Sequence, residues 1–244
     1  MIEAESTVRE RASSAPATEV VLVTLVAVYN IVANLWLAPW MYIPANLAAA
    51  VVLIAIVRRH GIGWDHLGLA RRHVPNGLRV GGIAMGVVGL GVAVGVALPI
   101  TRALFEDARV VDASTWELVR QPLIRIPLGT AVFEEIVFRG VLLGMFLRRM
   151  TPLRAVTWSS LLFGLWHVLP TGLTVDNSPA IGDLANTRSG LTVAVVGAVI
   201  GTWLAGYVFC WLRLRANSLL APIMLHIATN SFAYVGATVT VHVL

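Results

Sequence analysis

Residues 80–100 read VGGIAMGVVGLGVAVGVALPI, a stretch with no charged or strongly polar side chain. About 20 helical residues cross a ~30 Å hydrocarbon core, so this segment is long enough to span a bilayer. Outward from it, six further apolar stretches follow the same pattern: 20–38, 41–57, 122–147, 153–170, 191–212 and 218–241. The second is the shortest. The first is too long for a signal-peptide core and no cleavage site follows it, so it reads as a retained span. The expectation is an all-α, polytopic transmembrane helix bundle of about seven spans, with eight as the alternative. Residues 1–18 lack periodicity and read as a mobile N-terminal tail. Residues 19–244 read as one transmembrane domain.

The composition agrees. Of 244 residues, 57% are hydrophobic and 13% charged, and the mean hydropathy is +0.80. Soluble domains carry about 25% charged residues, so a water-soluble globule is excluded, as are collagen, coiled coil and disorder. The lone Cys210 excludes an intramolecular disulfide framework and a cysteine zinc cluster, and reads as an inert small apolar residue within a span. A net charge of +5 does not imply nucleic acid here, because basic residues of membrane proteins gather in cytoplasmic loops. Arg9, Arg11, Arg58, Arg59, Arg71, Arg72, Arg79, Arg148, Arg149, Arg154, Arg213 and Arg215 flank alternate spans on one side. Arg102, Arg109, Arg120 and Arg188 stand on the other. This predicts a multi-pass protein of the plasma (inner) membrane with a cytoplasmic N-terminus. Oligomeric state is left open.

The glycine pairs Gly82/Gly86 and Gly91/Gly95 have the small-xxx-small spacing of close helix packing, read here as intramolecular. The segment 101–121 is expected at the outer interface with Trp116 as an anchor. Trp36, Trp40, Trp64, Trp203 and Trp211 read as further anchors, and Trp166 as a packing residue. No role is assigned to His60, His66, His73 or His242.

Charge inside a bilayer is costly, about 2.5–3.5 kcal/mol per residue at a helix centre on insertion scales. Glu134, Glu135 and Arg139 nevertheless sit in one span, His167 in the next, and His226 with Asn230 in the last. At 1.5 Å per residue, Glu134 lies about 21 Å from Arg148, His167 about 20 Å from Arg154, and His226 about 16 Å from Arg215. Three helices thus place ionisable groups at similar depth, which predicts a shared polar cavity. Glu135 and Arg139 are one turn apart and can pair; taken alone, they read as a structural ion pair. His226 and Asn230 have the same spacing, as do Phe163 and His167, so that Phe163 can wall the pocket.

Three motifs at these positions resemble one family. Glu134-Glu135-Ile136-Val137-Phe138-Arg139 matches EExxxR, Phe163-Gly164-Leu165-Trp166-His167 matches FxxxH, and His226-Ile227-Ala228-Thr229-Asn230 matches HxxxN. The chain resembles the CPBP (Abi, CAAX protease and bacteriocin-processing) intramembrane proteases, or type II CAAX prenyl endopeptidases. The resemblance covers about 120–240 and puts a catalytic core at about 122–241. It implies an intramembrane endopeptidase acting on membrane-anchored, possibly prenylated, peptides. By that analogy Glu134 and His167 activate water, His226 and Asn230 hold the oxyanion, and Glu135 and Arg139 support the site.

The residue chemistry suits that reading. Amide hydrolysis needs an activated water and a stabilised oxyanion. Carboxylates in apolar surroundings are stronger proton acceptors than exposed ones. No cofactor is required in that scheme. The alternative is a zinc protease in which Glu134, His167 and His226 bind the metal and Glu135 is the base, although HExxH is absent. Serine and aspartyl chemistries are disfavoured: Ser159 and Ser160 read as packing residues, and Asp176 and Asp183 fall in the loop 171–190. An ion-coupled transporter or a non-catalytic scaffold or immunity protein are the readings of another class.

Overall fold

The computed structural model describes residues 15–175 and 187–244. The described residues are helical throughout, with no strands. Lipid offers no partner for backbone N–H and C=O groups, so apolar spans satisfy them internally as helices. Seven rods carry the fold. They are α1 (Ala15–Leu35), α2 (Tyr42–Arg59), α3 (Val74–Ala97), α4 (115–146), α5 (Pro152–Trp166, continued by Val168–Thr174), α6 (Arg188–Ala216) and α7 (220–242).

Local sequence sets their ends. Arg58 and Arg59 close α2, where positive charge suits a helix C-terminus. Pro75 opens α3 and Pro152 opens α5, at positions where a missing N–H costs nothing. Ser114 and Glu117 form a capping box ahead of α4. Asn217 ends α6 in the left-handed region at φ 52°.

Among the described residues, four helices are long and apolar enough to cross a membrane: Thr18–Leu35, Pro39–Arg59, Arg71–Ala97 and Arg188–Ala216. The motif-bearing rods α4, α5 and α7 differ in a way that has a physical cause. The first is π-wound over Gln121–Ala131, around Pro127, and again over Ile136–Leu142. The second breaks at His167, and the third is π-wound over Ala228–Phe232. π-wound turns recur at functional sites.

The rod ends that the arginine pattern groups together meet at one end of the bundle. Glu19 pairs with Arg149 at 3.0 Å, and Arg148 Nη1 donates to the His60 carbonyl at 3.2 Å. Buried Arg213 donates to the carbonyls of Asp65 and His66, both at 3.0 Å. The Leu219 N–H reaches Gly68 O at 2.9 Å. At the opposite end His242 Nε2 donates to the Val110 carbonyl at 2.8 Å.

Close packing uses different glycines from those expected. A Cβ on Gly77 or Gly81 of α3 would press on Ser218 or on Ala221 and Met224 at the start of α7. By contrast, Gly86 and Gly91 have nothing within 4 Å, and only the Gly95 half of the expected pairs is tightly packed, against Phe105. On α6, a Cβ on Gly206 would meet the Ser160 backbone of α5. Residues 104–107 and Arg109 border the cavity described next. Asp107 caps the short helix Ala108–Val111 and pairs with Arg109. Burial pushes the Asp107 carboxyl up, but its hydrogen bonds from Arg109 and the Arg109 charge prevail and hold it below its usual range. Asp176 and Asp183, and most of the N-terminal tail, lie outside the described residues.

Candidate active site

Four rods build the site from their buried faces. The α4 turn Val132–Glu135, between the two π-wound segments, carries Glu134 and Glu135, which are 5% and 0% exposed. Arg139 follows on the same rod and is also 0% exposed. Its Nη1 donates to Glu135 Oε1 at 3.2 Å, which is the one-turn pairing that the spacing predicts. Two rings hold the rest of the guanidinium, with its central carbon 4.0 Å from the Phe163 centroid and 4.8 Å from that of Phe209. An isolated buried charge would be prohibitive, and cation–π contact is one of the few non-polar compensations available.

His226 of α7 joins this cluster. Its Nδ1 donates to Glu135 Oε1 at 2.8 Å, and its ring stacks on Phe209 with centroids 5.2 Å apart. Its Nε2 lies 3.8 Å from Glu134 Oε2, beyond direct hydrogen-bond range. Glu135 therefore accepts from two donors, and His226 stands between the two carboxylates.

Glu134 faces the other way, onto a cavity of about 700 Å³. His167 and Asn230 line the same cavity. His167 Nδ1 donates to the Phe163 carbonyl at 2.8 Å. Because a carbonyl can only accept, this bond fixes the proton on Nδ1 and leaves Nε2 as the acceptor. Asn230 accepts through Oδ1 from Thr229 Oγ1 at 3.4 Å, and its amide N–H groups have no partner among the described residues.

Thus Glu134, His167 and Asn230 come together on one cavity. His226 does not reach it: it is 3% exposed, lies behind Glu134 and is absent from the lining. Of His226 and Asn230, only Asn230 borders the cavity, because His226 turns its Nδ1 to Glu135 instead. Phe163 likewise is buried behind the cavity wall, edge-on to His167 with centroids 4.7 Å apart, and acts through its ring and carbonyl.

The sequence reading passed over several neighbours. Trp166, read as a packing residue, lines the cavity and donates from Nε1 to Glu134 Oε1 at 3.0 Å. Asn30 of α1 donates to the Trp166 carbonyl at 2.9 Å, and Asn46 of α2 to the Gly129 carbonyl at 2.6 Å. Asn34, Tyr42, Asn46, Thr130 and Arg125 also line the cavity, with the Arg125 guanidinium 4.4 Å over the Tyr42 ring. The available signal was the three uncharged amides Asn30, Asn34 and Asn46 inside otherwise apolar spans.

Among the described residues, no three His, Cys, Asp or Glu side chains are arranged to hold an ion. His226 turns one nitrogen to Glu135, and His167 turns one to a backbone carbonyl.

Comparison with known families addresses the three motifs. Residues 116–232 match the Rce1-like type II CAAX prenyl endopeptidases. The matched segment contains all of the EExxxR, FxxxH and HxxxN residues. Comparison with curated proteins and with solved structures gives no match. The matched segment, just under half of the chain, supports a protease, and together with the long apolar helices it indicates an integral membrane protein.

Proposed function

We propose that the protein is an intramembrane endopeptidase that hydrolyses a peptide bond of a membrane-anchored substrate, prenylated peptides being the first class to test. One observation carries this reading: Glu134, His167 and Asn230, from three separate rods and three family motifs, border a single cavity. The bilayer is the setting, and the arginine-rich end of the bundle faces the cytoplasm.

In this mechanism a water molecule enters between the Glu134 carboxylate and His167 Nε2. It loses a proton to Glu134 as its oxygen attacks the scissile carbonyl. The oxyanion that forms takes a hydrogen bond from the Asn230 amide, a neutral donor that needs no proton transfer. The C–N bond then breaks, and the proton held by Glu134 passes to the departing amine. The new carboxyl group gives up its remaining proton to the amine, so the products are a carboxylate and an ammonium group. Trp166 holds one Glu134 oxygen and His226 stands behind the other, so both are positioning residues in this scheme. Glu135 and Arg139 support His226.

The test is cleavage of an S-farnesylated reporter peptide by the full chain in lipid nanodiscs. Wild type is expected to release a C-terminal fragment, and Glu134→Gln to release none while keeping its helical spectrum. Cleavage by the variant at the wild-type rate overturns the assignment. Uptake of a solute into vesicles, lost in Glu134→Gln and without peptide cleavage by either form, would favour a carrier instead.

A further inference from the structure

A second concavity, of about 530 Å³, lies between α3 and α6, with Leu225 of α7 in its wall. It shares no residue with the cavity that holds Glu134. Its body is apolar, lined on α3 by Val80, Ile83, Val87 and Val88 and on α6 by Val208 and Leu212. Its polar end is formed by Arg79 and Arg215, with Asn76 beside them. No carboxylate lines it.

The two arginines distinguish this groove from an ordinary seam between helices. Both are exposed, and neither has an ion pair or hydrogen bond among the described residues. Among the described arginines of this end, Arg72 is engaged with Asp65, Arg149 with Glu19, and Arg58, Arg148 and Arg213 with backbone carbonyls; Arg59, Arg71 and Arg154 also have no partner among the described residues but do not line this groove. Two unneutralised guanidinium groups at one end of an apolar channel call for a ligand with an anion at one end and a hydrocarbon chain at the other.

The dimensions agree. From Arg79 to Val88 is nine residues of α3, or about 13 Å of rise. Half of a ~30 Å hydrocarbon core is about 15 Å. With the arginines at the headgroup level, the channel would end near the midplane. Trp211 flanks the channel, 59% exposed, as an aromatic side chain does near an interface.

We infer that this groove binds one anionic phospholipid of the arginine-rich leaflet, its phosphate between Arg79 and Arg215 and one acyl chain along Ile83 and Val87. Basic pockets between spans are the general form of such sites. Leu225 precedes His226 in the sequence, so an occupied groove braces the segment of α7 that also carries the site.

The experiment uses the full chain, delipidated in neutral detergent and titrated with phosphatidylglycerol or phosphatidylcholine, bound lipid being counted by native mass spectrometry. At roughly 1 kcal/mol per basic residue near the headgroups, two arginines favour the anionic lipid by about 30-fold. Arg79→Gln with Arg215→Gln should abolish that preference and leave phosphatidylcholine binding unchanged. Ile83→Trp, which fills the channel and keeps the arginines, should reduce tight phosphatidylglycerol binding on its own, so the test does not depend on one variant folding. Arg71→Gln with Arg72→Gln should keep the preference. Equal binding of the two lipids by wild type overturns the inference. So does a preference that survives the Arg79 and Arg215 changes, or an Ile83→Trp variant that alters only the oligomeric state.

Discussion

Trp166 Nε1 lies 3.0 Å from Glu134 Oε1 and donates a hydrogen bond to it across the wall between α5 and α4. The same tryptophan is fixed at its carbonyl by Asn30 of α1, so a residue far from any motif sets where the carboxylate stands. Trp166→Phe keeps a ring against Phe133 and Phe138, whose centroids lie 5.8 and 5.7 Å from that of Trp166, and removes only the donor. A hydrogen bond to a charged group contributes about 1.5–3 kcal/mol, so kcat should fall about 10- to 100-fold. The thermal midpoint should stay near that of wild type. An unchanged kcat would remove Trp166 from the site.

Arg139 and Glu135 form a fully buried pair, and the cost of breaking it should exceed the net gain of having it. Arg139→Met leaves Glu135 charged with only His226 as a partner, a loss of about 3–5 kcal/mol. Adding Glu135→Gln removes the stranded charge, and the double variant should recover part of the lost thermal stability. A double variant as unstable as Arg139→Met would mean that the guanidinium acts through Phe163 and Phe209 and not through the carboxylate.

The fold class and the cavity's principal groups were legible in the sequence for different reasons. Length and hydropathy suffice for helices such as α3, because lipid leaves the backbone no alternative. Glu134 and His167 stand out because charge within apolar rods needs a compensating environment. That His226 turns to Glu135 and not to the cavity was not legible, since spacing along one rod does not say which group of another rod a side chain meets. Asn30 and Asn46 were missed, and packing was favoured over cavity lining for Trp166, because neutral side chains that hydrogen-bond in a span resemble packing residues until their partners are known. The lining role of Phe105 and Arg109 depends on how 101–112 folds back over the cavity, which no local periodicity encodes.

Asp107, which lies outside the four long apolar helices, offers a pH test. Its carboxyl is held below the ordinary value of 3.8, so its contribution is complete above that value and is lost as pH falls through the lower, folded one. The cap on Arg109 N–H and the Arg109 ion pair fail together, at a cost of about 1 kcal/mol for the cap. A spin label on Val111→Cys, which is exposed, should become mobile as pH drops below about 4. With Asp107→Asn added, the label should be mobile at neutral pH and respond little to acid. Mobility that rises equally in both proteins would assign the acid response to another group.

Asn230 provides the sharpest test of the chemistry, because its proposed contribution belongs to the transition state alone. Its amide reaches the cavity with no other partner, so a ground-state role in packing is small. Loss of one oxyanion donor typically lowers kcat by ~10²–10³. Asn230→Ala should do this with KM nearly constant and the thermal midpoint unmoved. Asn230→Asp is the more demanding control. It keeps size and shape but puts an acceptor where the oxyanion forms, and like charge should make it at least as slow as the alanine variant. Recovery of activity in the aspartate variant would show that position 230 needs only bulk and polarity, and the oxyanion role would have to be assigned elsewhere.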